Sequence, residues 1–198
     1  MKIKLSPNGD MKSLSVVKAG EVLVINGVSY DFSRLADGDT LPMAAAGNEF
    51  FASSIERIDG VLTLSLMLPH VVDAPESVRF PGDLINPPDG PLSLPGHEHI
   101  EYLPVSAGVM DWSQIITAEA KAQAAAEQHL AQVHAEMAAR RTDADRAIAP
   151  LQDAVDLDEA TAEEAAELLA WKRYRVALNR LPDQPGYPNE ITWPVPPA

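Results

Sequence analysis

"EVLVINGVSYDF", Glu21 to Phe32, and "SSIERIDGVLTLSLMLP", Ser53 to Pro69, decide how the N-terminal part of the chain folds. Each holds two short apolar-rich runs around a two-residue turn signal, Asn26-Gly27 in the first and Asp59-Gly60 in the second. A tight hairpin turn needs positive φ at both central positions, which glycine adopts without a Cβ penalty and Asn or Asp tolerates. Both stretches therefore predict β-hairpins. In the second, Leu62, Leu64, Leu66 and Leu68 alternate with Thr63, Ser65 and Met67, so the leucines share one face of a half-buried strand.

Working outward, "MKIKL" at the N-terminus and "SLSVV" at 13–17 are further strand candidates, and Ser33 to Phe51 reads as a loop with one helical turn. From Pro69 to Pro104 the chain carries eight prolines, too many for central strands, each of which needs its N–H groups. Residues 69–104 are expected to form an extended, irregular strap, either wrapped on the sheet or bridging to the next domain, with one edge strand from "ESVRFPGDLI". Residues 1–105 together read as a β-rich domain.

Beyond Thr117 the texture changes. "TAEAKAQAAAEQHLAQVHAEMAARRTDADRAIA" has neither Gly nor Pro and is rich in strong helix formers. Thr117 is the expected N-cap, with Glu119 in the first turn to complement the helix dipole. Ala126, Leu130, Val133, Met137, Arg140, Ala144 and Ile148 form one apolar seam, broken only by Arg140. A seam this narrow and alanine-rich buries too little to stand alone. Its partner is either another helix of the same chain or, through residues 117–148, a second copy of the chain. Pro150 fits the first turn of a new short helix, "PLQDAVDL". The long Ala-rich helix is therefore placed at 112–148 and a separate C-terminal unit at 149–198. "TAEE" at 161–164 is a capping box that opens a final helix, which Pro182 ends. Ala165, Leu168, Trp171, Tyr174, Leu178 and Leu181 lie along one side of it, flanked by Arg175. The chain thus reads as α+β: a β-rich N-terminal domain, a long Ala-rich helix, and a C-terminal helical unit with an extended proline-rich tail.

That tail, "DQPGYPNEITWPVPP", holds five prolines and would expose Tyr187, Ile191, Trp193 and Val195 if it stood free. Burying an aromatic side chain is worth roughly 1.5–3 kcal/mol, so Trp193 has reason to dock. Two surfaces are open to it: the final helix of the same molecule, or another protein.

The residues "IAPLQDAVDL" (148–157), Thr161, "EEAAELLAWKRYRVALNRL" (163–181), "QPGYP" (184–188) and "ITWPVPP" (191–197) resemble the C-terminal region of bacteriophage tail fibre assembly proteins. The shared order is a short helix, a capping Thr, a Leu-x-Trp-Lys-x-Tyr-Arg-x-x-Leu-Asn-Arg helix, a Gly-Tyr-Pro turn and a terminal Trp-Pro. The resemblance spans about 50 residues and does not extend to residues 1–105. It implies a chaperone or adaptor that binds a phage tail fibre or other tail protein and assists its folding or trimerisation, acting in the host cytoplasm during assembly and either leaving or staying on the fibre tip. On that reading Trp171, Tyr174, Arg175 and Asn179 form a partner-binding platform. Tyr187, Pro188, Trp193 and Pro194 form a strap that either locks the platform or grips the client. The alternative is a structural tail component, with the β domain as an attachment or receptor-binding module and the Ala-rich helix as an oligomerising stalk.

Composition narrows the field. A formal net charge of −14, with neither half of the chain basic, argues against nucleic acid and anionic membrane surfaces as partners. The absence of cysteine excludes disulfides, thiolate metal sites and thiol catalysis. No apolar run is long enough for a signal peptide or a membrane span, which points to a cytoplasm. "HEHIE" offers His97, Glu98, His99 and Glu101, but a metal site needs a third convergent ligand that no other motif supplies, so surface histidines are expected. His129 and His134, five residues apart, do not stack on one helix face. Phosphate loops, nucleophile elbows and zinc-protease helices are missing from the sequence. The expectation is a protein without cofactor or metal that works by binding, not an enzyme.

Overall fold

The computed structural model describes residues 1–9, 13–97 and 104–197. The chain divides into two compact units, Met1–Lys121 and Ala122–Ala198. The first is β-rich, the second helical, and the class is α+β.

The first unit holds β1 (Lys2–Asn8), β2 (Val16–Ala19), β3 (Val22–Ile25), β4 (Val28–Asp31), β5 (Thr40–Leu41), β6 (Ile55–Ile58), β7 (Val61–Pro69), the single turn α1 (Glu76–Arg79), β8 (Leu84–Ile85), β9 (Gly90–Pro91) and β10 (Ser106–Ala107). Both hairpin turns form where the local signals put them. Ile25 pairs with Val28 across Asn26 and Gly27, and Ile58 with Val61 across Asp59 and Gly60. All four turn residues have positive φ. Two five-stranded sheets result, ordered β5-β6-β7-β1-β8 and β10-β4-β3-β2-β9. The leucines of β7 are buried as their alternation predicts, and residues of both sheets meet in one hydrophobic cluster. Phe51 lies at its heart, with Tyr30 and Phe32 edge-on at 5.3 and 6.0 Å.

The proline-rich strap runs along this unit. β8 pairs with the start of β1 on one sheet, and β9 with β2 on the other, as two-residue edge strands. Edge positions suit such a segment, because a proline there has no ladder bond to lose. The unit does not stop at residue 105. β10 pairs with β4, Ile116 bridges Thr40, and Trp112 packs against the core.

The long helix, α2, is Ala118–Asp156. Thr117 caps it as expected, its Oγ1 accepting from the Ala120 N–H at 3.1 Å. A second cap comes from far along the chain: buried Asp39 accepts from the Ala118 N–H at 3.0 Å. The helix does not break before Pro150, where a separate short helix was expected. Pro150 lies inside it. Pro150 and Arg146 both sit on the exposed face, so the carbonyl that loses its N–H partner is left to solvent. Among the described residues no helix is long and apolar enough to cross a membrane.

Candidate partner-binding interface

In the second unit α2 turns back through residues 157–161 into α3 (Ala162–Asn179). The capping box is complete. The Thr161 Oγ1 accepts from the Glu164 N–H at 3.2 Å, and the Glu164 carboxylate accepts from the Thr161 N–H at 2.7 Å. Those Thr161 bonds hold the Glu164 carboxyl below the ordinary carboxylate range. The two helices run antiparallel, with Lys172 donating to Gln152 and Arg175 paired with Asp145 at 2.6 Å. Between them Ala144, Tyr174, Leu178 and Leu181 form a buried cluster, with Met137, Trp171, Ile191 and Trp193 packed around it. An alanine at position 144 is what lets Tyr174 and Leu178 close over α2.

From Leu130 to Ile148 the seam of α2 is buried or half-buried, whereas Ala126 and the rest of residues 118–128 are exposed. Arg140, which interrupts the seam in sequence, sits over the Trp193 ring at 4.6 Å. Glu136 accepts from its Nε at 2.6 Å, and this bond, more than the Tyr174 hydroxyl, raises the guanidinium above its ordinary pKa. A cation fixed by a carboxylate and seated on an indole face is a productive cation–π arrangement.

Of the platform residues, Trp171 is half-buried, edge-on to Tyr174 at 5.7 Å, and donates to Glu167. Tyr174 is buried, Arg175 is held by Asp145, and Asn179 is exposed. The strap docks on its own unit. Leu181 is buried, and the short 3-10 turn Leu181–Asp183 carries the chain away from α3. The Gln184 side chain then clips the tail, donating to the Thr192 carbonyl and accepting from the Thr192 N–H at 3.0 and 2.9 Å. Between these points the Glu190 N–H donates to the Gly186 carbonyl at 2.7 Å, and a Cβ on Gly186 would stand 2.6 Å from the Glu190 carbonyl oxygen. The close approach of two backbones explains glycine in "QPGYP". The Tyr187–Pro188 peptide is cis, and His129 Nε2 meets the Pro188 carbonyl at 3.0 Å. Tyr187 is half-buried, and its shielded hydroxyl has no hydrogen-bond partner among the described residues. Pro194 is half-buried and Val195 exposed. Sequence reasoning missed His129, Arg140 and Gln184 as holders of the strap. Only the odd placement of Arg140 in an apolar seam signals any of them.

Among the described residues no three His, Asp or Glu side chains converge as metal ligands. His97 is engaged at both ring nitrogens, by the Leu14 N–H at Nδ1 and the Pro69 carbonyl at Nε2, while Glu98, His99 and Glu101 lie outside the described residues. What the unit offers is an aromatic and cationic surface, half open to solvent.

A family model described as "Caudovirales tail fibre assembly protein, lambda gpK" matches residues 84–198, more than half of the chain. The chain belongs to the tail fibre assembly protein family. The family match starts well before Ile148, where the resemblance in sequence begins, and reaches into residues 84–105, which that resemblance left out; it takes in β8, β9, β10 and all of α2. Among curated tail fibre assembly relatives, a "Probable tail fiber assembly protein" of Acyrthosiphon pisum secondary endosymbiont phage 1 is 60% identical over 50 residues, 25% of this chain and 31% of its own length. "Protein TfaD" of Escherichia coli (strain K12) is 59% identical over 51 residues, 26% of each chain. "Tail fiber assembly protein" of Escherichia phage lambda is 57% identical over 51 residues, 26% of this chain and 25% of its own. The aligned part thus spans between a quarter and a third of the length of these relatives. No solved structure matches the chain.

Proposed function

We propose that this chain is an assembly chaperone or adaptor that binds a phage tail fibre protein in the host cytoplasm and assists its folding or trimerisation. The family match over residues 84–198 carries this reading. Physical chemistry supports it. Fibre subunits expose long unpaired strand edges before a trimer closes, and such edges invite misassembly. A protein that covers them needs apolar anchors on a soluble body. Half-buried Trp171, Tyr187, Pro188, Trp193 and Pro194 supply the anchors, exposed Asn179 adds a hydrogen-bonding amide, and a net charge of −14 supplies solubility. Tyr174 and Arg175 hold that surface in shape from beneath and beside it.

Co-purification of the full chain with a tail fibre protein of the same phage tests the reading. A complex of defined mass by light scattering is expected. Separate elution of both proteins at micromolar concentration contradicts it.

A second reading rests on residues 1–83, which lie outside the family match yet form most of a β-rich unit, and on the exposed Ala-rich start of α2. In it the chain is a structural tail component, with the β unit as attachment or receptor-binding module and self-association through helix 117–148. Mass spectrometry of purified particles separates the two. Stoichiometric presence favours the structural role or retention on the fibre tip, and absence favours a transient chaperone.

A further inference from the structure

The face of α3 turned away from the buried cluster carries a groove of about 610 Å³, lined by Lys172, Arg173, Val176, Ala177, Arg180 and Gln184. Its charge is out of keeping with the rest of the molecule. The chain has 29 acidic residues against 15 Lys and Arg, yet three cations converge here. Elsewhere in the same unit Arg140, Arg146 and Arg175 each hold a carboxylate. Arg173 and Arg180 hold none among the described residues, and Lys172 donates only to the neutral amide of Gln152. Cations in a final helical turn complement the dipole, which accounts for Arg180. That effect fades within one turn, so it does not account for Lys172 and Arg173, about two turns back. Between the cations the lining is apolar, with Ala177 and Val176, the latter 44% exposed.

We propose that this groove receives an acidic, extended segment of the fibre protein, with carboxylates meeting Arg173, Arg180 and Lys172 while an apolar side chain rests on Val176. The proposal rests on the fibre-binding reading above. Guanidinium groups without an internal partner are free to grip carboxylates in paired hydrogen bonds, while Gln184 at the rim stays clipped to Thr192. A strongly acidic protein repels an acidic ligand over most of its surface. Local cations therefore set where such a ligand lands as well as how tightly it is held.

The test compares the full-length wild type with Arg173→Glu/Arg180→Glu, Arg173→Gln/Arg180→Gln and Arg173→Lys/Arg180→Lys, titrated against the purified fibre protein. Both arginines are exposed, so circular dichroism melts should shift little, with the largest loss in the Glu pair, which sets a negative charge at the C-terminal end of α3; the Gln pair carries the comparison if the Glu pair fails to fold. The expected result is binding at least about tenfold weaker in the Glu pair, less weakened in the Gln pair, and in the Lys pair between the Gln pair and wild type, because lysine keeps the charge and loses the paired geometry. The gap between wild type and Glu pair should narrow as salt rises from about 0.05 M to about 0.5 M. Equal fibre binding by wild type and both neutral and reversed pairs overturns the groove and leaves the fibre-binding reading intact. No fibre binding by the wild type overturns both. A substituted chain that binds fibre normally but loses self-association assigns the groove to a second copy. One that binds fibre normally but loses affinity for duplex DNA assigns it to nucleic acid. Either result overturns the proposal.

Discussion

A chain that ends at Asp183 is expected to lose about 2–3 kcal/mol of stability in its C-terminal unit. The truncation removes Ile191 and Trp193 from the cluster around Tyr174 and Leu178, and removes the indole beneath Arg140. Partial burial of one aromatic and one branched side chain, with a cation–π contact, gives that magnitude. The Gln184 clip on Thr192 and the His129 contact with Pro188 go with it. For a unit of this size the loss corresponds to a melting temperature lower by about 10 °C or more. Calorimetry of the truncated and full chains checks it. Identical melting of the helical unit would mean that the tail rests on the surface without contributing, and would free Trp193 for a partner alone.

Leu178→Ala is expected to cost about 2–5 kcal/mol, the range for a buried leucine whose neighbours do not collapse into the space. Leu178 is fully buried among Ala144, Tyr174 and Leu181, two helices and the start of the tail converging on it. The control is Leu169→Ala on the same helix, at 49% exposure, expected within about 0.5 kcal/mol of wild type. Denaturant unfolding followed by tryptophan fluorescence resolves the pair, because Trp171 and Trp193 both lie in this unit and Trp112 reports on the other. Equal losses at the two positions would contradict the packing of α3 described above.

Elements specified by neighbouring residues were legible in the sequence. Asn26-Gly27 and Asp59-Gly60 announce their turns because only a few residue types tolerate positive φ. The alternation of Leu62 to Leu68 gives the buried face of β7, and Thr161 with Glu164 gives the start of α3. Contacts between distant residues were not legible. Nothing local announces that β1 runs parallel to β7, with Lys2 opposite Thr63, or that Asp39 caps α2. Pro150 misled because propensity penalises proline within a helix, yet α2 runs on through it at a position where Arg146 and Pro150 are both exposed. At the candidate interface, helical spacing located Trp171, Tyr174, Leu178 and Leu181 on one side. It could not tell that Arg140, apparently a flaw in the α2 seam, is the seat of Trp193. Periodicity reports which residues share a face, and only the tertiary fold reports what that face meets.

The two units suggest a division of labour. The helical unit lies wholly within the family match, and it holds its own strap in place, so on the proposed reading its aromatic surface is preformed. Preformed surfaces spend less of their interaction energy on ordering when they bind. The most direct measurement is the yield of soluble, trimeric tail fibre protein from cells that express it with and without this chain. The account predicts a several-fold rise in trimer when the chain is present, reduced when the chain ends at Asp183. Equal trimer yields with and without the chain would contradict it.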